Sequence, residues 1–242
     1  MGTVKQSGII IAESNMGDYD KMVTLLTPGY GKISCVAKGA RKPKSQLMAG
    51  TQLFCFGEYM LFKGGENYHI NSVETIELFY NIRIDLDKLK YAMHINKIIY
   101  DVTTENQNCY KILQLYLNTL YMISETDENL DFILAVFKIR LLSLLGFTPK
   151  VKECVSCKEQ EDISYFSLKD NGIKCSACGR QDKSAIKMSK TTQKAIQYIV
   201  LAPAKKLYSF HISEDSLKEL ELISKLYFNN KLEKEYKLEN LF

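Results

Sequence analysis

The sequence predicts an α+β protein in which a small N-terminal β-barrel is followed by an α-helical domain carrying a four-cysteine insertion. Three observations predict it. Apolar and polar residues alternate in short runs up to about residue 77, with Gly- and Pro-containing turns between them. Beyond that point apolar residues recur every three or four positions, the spacing of an amphipathic helix. Between two such helical stretches stand Cys154-Val155-Ser156-Cys157 and, after seventeen residues, Cys175-Ser176-Ala177-Cys178.

The barrel expectation rests on five short strands. Ser7 to Ala12 is β-rich, and Tyr19 to Leu26 sets Tyr19, Val23 and Leu25 on one face and Met22, Thr24 and Leu26 on the other. Thr27-Pro28-Gly29-Tyr30-Gly31 supplies a reverse turn, and Lys32 to Lys38 resumes the alternation with Ile33, Cys35 and Ala37. A long polar connection, Gly39 to Gly50, precedes a second hairpin, Gln52 to Lys63 and Tyr68 to Glu77, across Gly64-Gly65-Glu66-Asn67. Five strands with one longer connection after the third are compatible with an OB-type barrel, and an SH3-like barrel gives much the same pattern.

The helical expectation begins with Ala92, Ile95, Ile99 and Val102, then Ile112, Tyr116, Leu120 and Ile123. A third helix, Glu128 to Leu145, is apolar almost all round and is expected at the centre of a bundle, stopped by Gly146 and Pro149. Lys138 and Arg140 interrupt it; either their stems pack while their heads reach the helix edge, or they line a basic groove for an acidic partner tail. Ser189 starts a helix to about Leu201, and Ser213-Glu214-Asp215 caps another from Ser216 to Phe228, with Leu217, Leu220 and Ile223 inward. The expected organisation is a barrel over 1–80 and a helical domain over 81–242, interrupted by an insertion at 150–185.

Each CxxC turn aims two sulfurs at one point, and the intervening residues can bring the pairs together, so Cys154, Cys157, Cys175 and Cys178 match a four-thiolate zinc site. Such a site is closed to water and substrate and holds structure. A disulfide pair, a redox dithiol or iron on the same sulfurs are the competing readings. A zinc deaminase would need an HxE motif and an open position, and His69, His94 and His211 lie far from the cysteines in sequence. Cys35, Cys55 and Cys109 are scattered, as expected of buried small hydrophobes in a reducing compartment, and neither a signal peptide nor a membrane-length apolar run is seen; a cytoplasmic location follows. The 242 residues, 46% hydrophobic and 25% charged, suit a soluble globular protein. No Walker loop, GxSxG or His–carboxylate pairing is present, which argues against an enzyme.

A net charge of +4 proves no nucleic-acid partner by itself, so the position of the charge decides. Lys32 to Ser45 holds Lys32, Lys38, Arg41, Lys42 and Lys44 and no acidic residue. Such a loop on a small barrel suits a phosphate backbone, and Tyr30, Phe56, Tyr59 or Tyr68 would stack on unpaired bases. The competing reading is a solvated charged face and core aromatics.

Gly17 to Ser45, GDYDKMVTLLTPGYGKISCVAKGARKPKS, resembles the N-terminal signature of the bacterial recombination mediator RecO family, which couples TLLT-x-x-x-GK to a basic KGAR-x-x-x-S loop. The order of barrel, helices and four-cysteine segment, with Phe166-Ser167-Leu168-Lys169-Asp170-Asn171-Gly172 before the second CxxC, is similar to that family over nearly the full length. The resemblance implies an OB-fold that binds single- and double-stranded DNA. It also implies annealing of strands coated by single-strand binding protein and cooperation with RecR in loading RecA, in DNA repair and homologous recombination at the nucleoid. Lys38, Arg41 and Lys44 fall in the family's basic loop and are the DNA contacts the resemblance implies first, with Lys32 and Lys42 after them, and the four cysteines fall on its zinc knuckle. The chain departs from the pattern at Leu238-Glu239-Asn240-Leu241-Phe242, where a basic stretch is usual, at Asp18 for Glu, and at Leu53 for Pro. A zinc-stabilised protein–protein adaptor, making no direct DNA contact and using its helical bundle, is the alternative function.

Overall fold

Three consecutive isoleucines decide the course of the first strand. In the computed structural model, which describes residues 2–65 and 67–238, Ile9, Ile10 and Ile11 are all buried. Ile10 lies in the barrel's interior cluster, and the register shifts between Ile10 and Ala12. The strand β1 (Thr3–Met16) therefore bends and runs well beyond the expected Ser7 to Ala12. Its first half pairs with β4 (Phe56–Gly64) and its second half with β2 (Asp20–Thr27).

With β3 (Gly31–Ala37) and β5 (Asn67–Glu77) the order is β1-β2-β3-β5-β4, closed into a barrel. Closure comes from a short parallel pairing of Cys35 with Tyr68 and Val36 with His69, between strands that are otherwise antiparallel neighbours of β2 and β4. That parallel pair settles what a strand count leaves open: the order is that of an OB barrel. The interior is filled by Ile10, Val23, Leu25, Ile33, Cys35, Tyr59, Leu61 and Ile70. The connection 38–55 is a run of turns that buries Ala40 and Leu47 in that core.

The chain divides into two compact units, Met1–Ser124 and Glu125–Phe242. The first holds the barrel, the short α1 (Tyr80–Ile84), α2 (Leu86–Val102) and α3 (Tyr110–Glu125). A buried polar chain ties these helices to the barrel. Asn96 Nδ2 donates to Ile11 O at 2.9 Å, and Tyr116 Oη donates to Asn96 Oδ1 at 2.7 Å. An unpaired buried amide would cost about 1–3 kcal/mol, so Asn96 on an apolar helix face fixes α2 against β1.

In the second unit α4 (Leu130–Leu144) packs on α6 (Lys190–Leu201) and α7 (Glu214–Leu232). Asn129 caps α4 by accepting from Asp131 N and Phe132 N, and the helix is buried on all sides from Phe132 to Ile139, as its unbroken apolar sequence requires. Ser189 and Ser213 cap α6 and α7 by accepting from Thr192 N and Ser216 N. Between α4 and α6 lies the insertion: β6 (Ile163–Ser167), β7 (Gly172–Cys175), α5 (Ser176–Arg180) and β8 (Ala185–Lys187), with strand order β7-β6-β8. Among the described residues no helix is long and apolar enough to cross a membrane.

Candidate metal centre and nucleic-acid interface

The first CxxC is a tight turn: Lys158 N donates to Cys154 O at 3.0 Å, and Lys158 takes φ 71°. Val155 N donates to Ile173 O, which lays this turn against β7. Cys175 ends β7 and Cys178 lies one turn into α5, so a strand and a helix present the second pair. The four sulfurs lie within 4.8 Å of one another, and all are free thiols. Cys157 Sγ and Cys175 Sγ stand 3.6 Å apart, which is contact and not a covalent bond. A tetrahedral ion with about 2.3 Å metal–sulfur bonds needs sulfurs roughly 3.8 Å apart, so the cluster fits a closed four-thiolate site.

Burial opposes ionisation of Cys154, but backbone N–H groups of Cys157, Cys175 and Ser156 outweigh it and hold this thiol down to about 6. Cys178 is pushed up to about 12, chiefly by hydrogen bonds with Cys157 and Cys175. Four sulfurs so close cannot all ionise without a cation among them.

The Phe166 to Gly172 stretch has a structural task. Lys174, nearly buried on β7, pairs with Asp170 and Asp182, while Ser167 Oγ donates to Asp182 and accepts from Asp170 N. Lys174 donating, and then Ser167, hold the Asp182 carboxyl far below the usual carboxylate range. Asn171 turns at φ 57°, and a Cβ on Gly172 would stand 2.5 Å from Lys150 O. The motif closes the β6–β7 turn and sets the strand that carries Cys175.

On the barrel, the turn after β3 is pinned to the turn between β1 and β2. Gly39 N donates to Asp20 Oδ1 at 2.7 Å, Arg41 N to Tyr19 O at 2.9 Å, and Arg41 Nη1 to Gly17 O at 3.2 Å. Lys42 Nζ lies 5.6 Å over the Tyr19 ring. Lys38, Arg41, Lys42 and Lys44 are all exposed on this one structure, and Lys44 takes φ 64°.

Lys32 is not brought to them. It begins the other end of β3, six residues or about 20 Å from Lys38, where its Nζ donates to Tyr100 O at 2.7 Å and covers the Tyr100 ring. Of the four aromatics expected to stack, Tyr59 is wholly buried and donates to Gly50 O and Cys55 O, so it belongs to the core. Phe56 and Tyr68 are half-buried and Tyr30 is exposed. The aromatic that does stand beside the basic loop is Tyr19, 52% exposed. Its alternation with Val23 suggested a core face, and only its turn position after Gly17 hinted otherwise.

Arg140 offers no open basic groove. Its Nη1 donates to Ile199 O and Val200 O and its Nη2 to Ala202 O, closing the C-terminus of α6. Lys138 is buried. The departure at the C-terminus, residues 238–242, lies outside the described residues except for Leu238.

The family model described as "Recombination protein O N terminal" matches residues 1–79, and "Recombination protein O C terminal" matches 83–239. A protein named DNA repair protein RecO from Acetivibrio thermocellus is 47% identical over 98% of this chain and 94% of its own length. Proteins of the same name from Alkaliphilus metalliredigens and Bacillus subtilis are 32% and 29% identical, each over 93% of this chain and over 92% and 88% of their own lengths.

Proposed function

The chain belongs to the recombination protein O family of DNA repair proteins, and from that premise we propose that it is a non-enzymatic recombination mediator at the nucleoid. In this reading it binds single- and double-stranded DNA and anneals complementary strands. With RecR it helps load RecA onto DNA coated by single-strand binding protein, whose acidic tail it meets. The barrel of residues 1–80 is the DNA-binding domain. Residues 81–242 supply the helices, those up to Ser124 within the barrel's compact unit, and one zinc ion on Cys154, Cys157, Cys175 and Cys178 staples the insertion.

The observation that carries this proposal is the pinned basic turn. Loop cations ordinarily ride on mobile backbone, but here bonds from Gly39 N to Asp20 Oδ1 and from Arg41 N to Tyr19 O fix the backbone that carries Lys38, Arg41, Lys42 and Lys44. Pre-organised cations lose less entropy when they displace counterions from phosphate, and Tyr19 beside them supplies a stacking face. Such contacts position a strand without reading its sequence, as an annealing protein requires.

The test is Lys38→Glu/Lys44→Glu, which spares the Arg41 side chain that holds the loop to Gly17. Binding of a labelled single strand and annealing of complementary oligonucleotides should fall together, with the melting temperature unchanged. Unaltered binding would favour the adaptor reading, in which the barrel turn is a solvated face.

A further inference from the structure

A second cluster of aromatic and basic side chains stands at the opposite end of β3. Tyr30 is in the β2–β3 turn, and its carbonyl accepts from Asn106 N at 2.8 Å. Pro28 O accepts from Cys109 N, directly before Tyr110 at the head of α3, and Lys32 N donates to Thr104 O. The α2–α3 loop is thereby stitched to the turn. Lys32 Nζ sits 4.1 Å over the Tyr100 ring. Tyr30, Tyr100 and Tyr110 are 47, 42 and 60% exposed, although the ordinary fate of a tyrosine is partial burial. Lys97, one helical turn before Tyr100, and Lys111 are exposed here, beside the acidic Asp101 and Glu105.

We propose that this cluster is a second single-strand site, separate from the basic loop, which takes unpaired bases by stacking on Tyr30, Tyr100 and Tyr110. It rests on the reading that the chain binds single-stranded DNA. The balance of local charge is nearly even, so this site works by π-faces more than by phosphate contacts and tolerates salt better than the loop. The two sites lie about 20 Å apart along β3. They can hold two strands at once, which is the geometry that annealing needs.

The chain contains no tryptophan, so Tyr110→Trp makes a single reporter that a stacked base quenches. Oligothymidylate of about four nucleotides is too short to fill both sites well. Saturable quenching is expected, retained when Lys38→Glu/Lys44→Glu is added and weakened about tenfold by Tyr30→Ala, as about 1.4 kcal/mol of stacking predicts. Anisotropy of the same labelled oligonucleotide is read in parallel. If it reports binding lost in Lys38→Glu/Lys44→Glu while the reporter stays silent, the second site is refuted and the loop reading stands. If the reporter is quenched and the loop variant binds as wild type, the second site stands and the loop reading falls. No binding by either readout refutes both. Since Tyr30 and Tyr110 are exposed, an unchanged melting temperature is the folding control.

Discussion

Arg41 and Tyr19 are joined backbone to backbone, N–H to carbonyl at 2.9 Å, across two separate turns of the barrel. The bond converts a loop that composition leaves undefined into a fixed ledge with Lys42 above the exposed Tyr19 ring. A base stacked on that ring gains about 1–3 kcal/mol, and a base-paired strand offers no such face. Tyr19→Ala should therefore weaken single-strand binding about tenfold and duplex binding far less, with stability within about 0.5 kcal/mol of wild type. Equal losses on both substrates would show that Tyr19 only supports Lys42.

The insertion has two short strand pairings and one turn of helix around its thiolates, too little core to order itself. Apparent zinc binding energies of about 10–16 kcal/mol in small fingers imply that its order depends on the ion. Elemental analysis should find about one zinc per chain. Cys175→Ser or chelation should open 150–185 to protease while the barrel stays folded. An insertion equally resistant after metal removal would contradict this.

Arg140 satisfies three carbonyls at the end of α6 from 59 to 62 residues away in sequence. Arg140→Met leaves those acceptors unpaired and should cost about 3 kcal/mol of stability by thermal or urea unfolding. Arg140→Lys should recover little, because a point charge cannot reach all three. A neutral outcome would show that water replaces the guanidinium.

Lys138 is brought down to about 8 by burial first and then by Lys225 nearby, with Asp131 and Glu221 opposing. A lysine depressed in the fold keeps its proton longer when unfolded, so its contribution to stability rises with pH between about 8 and 10.5. Lys138→Met should be more stable than wild type at pH 7, by about 3 kcal/mol at most. That advantage should shrink across the window. The comparison must be a difference, because burial raises Cys35, Cys55, Tyr59 and Tyr116 and weakens both proteins at high pH. A constant difference would mean that Lys138 keeps its charge throughout.

What was legible in the sequence was local. CxxC spacing is a property of one turn, so Cys154, Cys157, Cys175 and Cys178 could be paired without any tertiary knowledge, and the structure clusters them. The five strands follow from alternation, whereas the ends of β1 do not, and Ile9 and Ile11 are buried beside the interior Ile10 where alternation expects exposure. Lys32 and Lys38 look like one patch because they are close in sequence, yet a strand between them carries them to opposite ends. Tyr59 looked available because alternation cannot say which face of a closed barrel is inside. The partners of Arg140, and the grouping of α2 with the barrel through Asn96, are long-range contacts with no local trace.

If the pinned turn neutralises DNA phosphates, the salt dependence of single-strand affinity reveals it most directly. Four engaged cations, at about 0.7 each, give a slope of log affinity against log salt near −3 for the wild type. Lys38→Glu/Lys44→Glu removes two of them and should bring the slope to about −1.5, with weaker binding to every sequence alike. An unchanged slope and affinity in the variant would place the phosphate contacts elsewhere on the molecule.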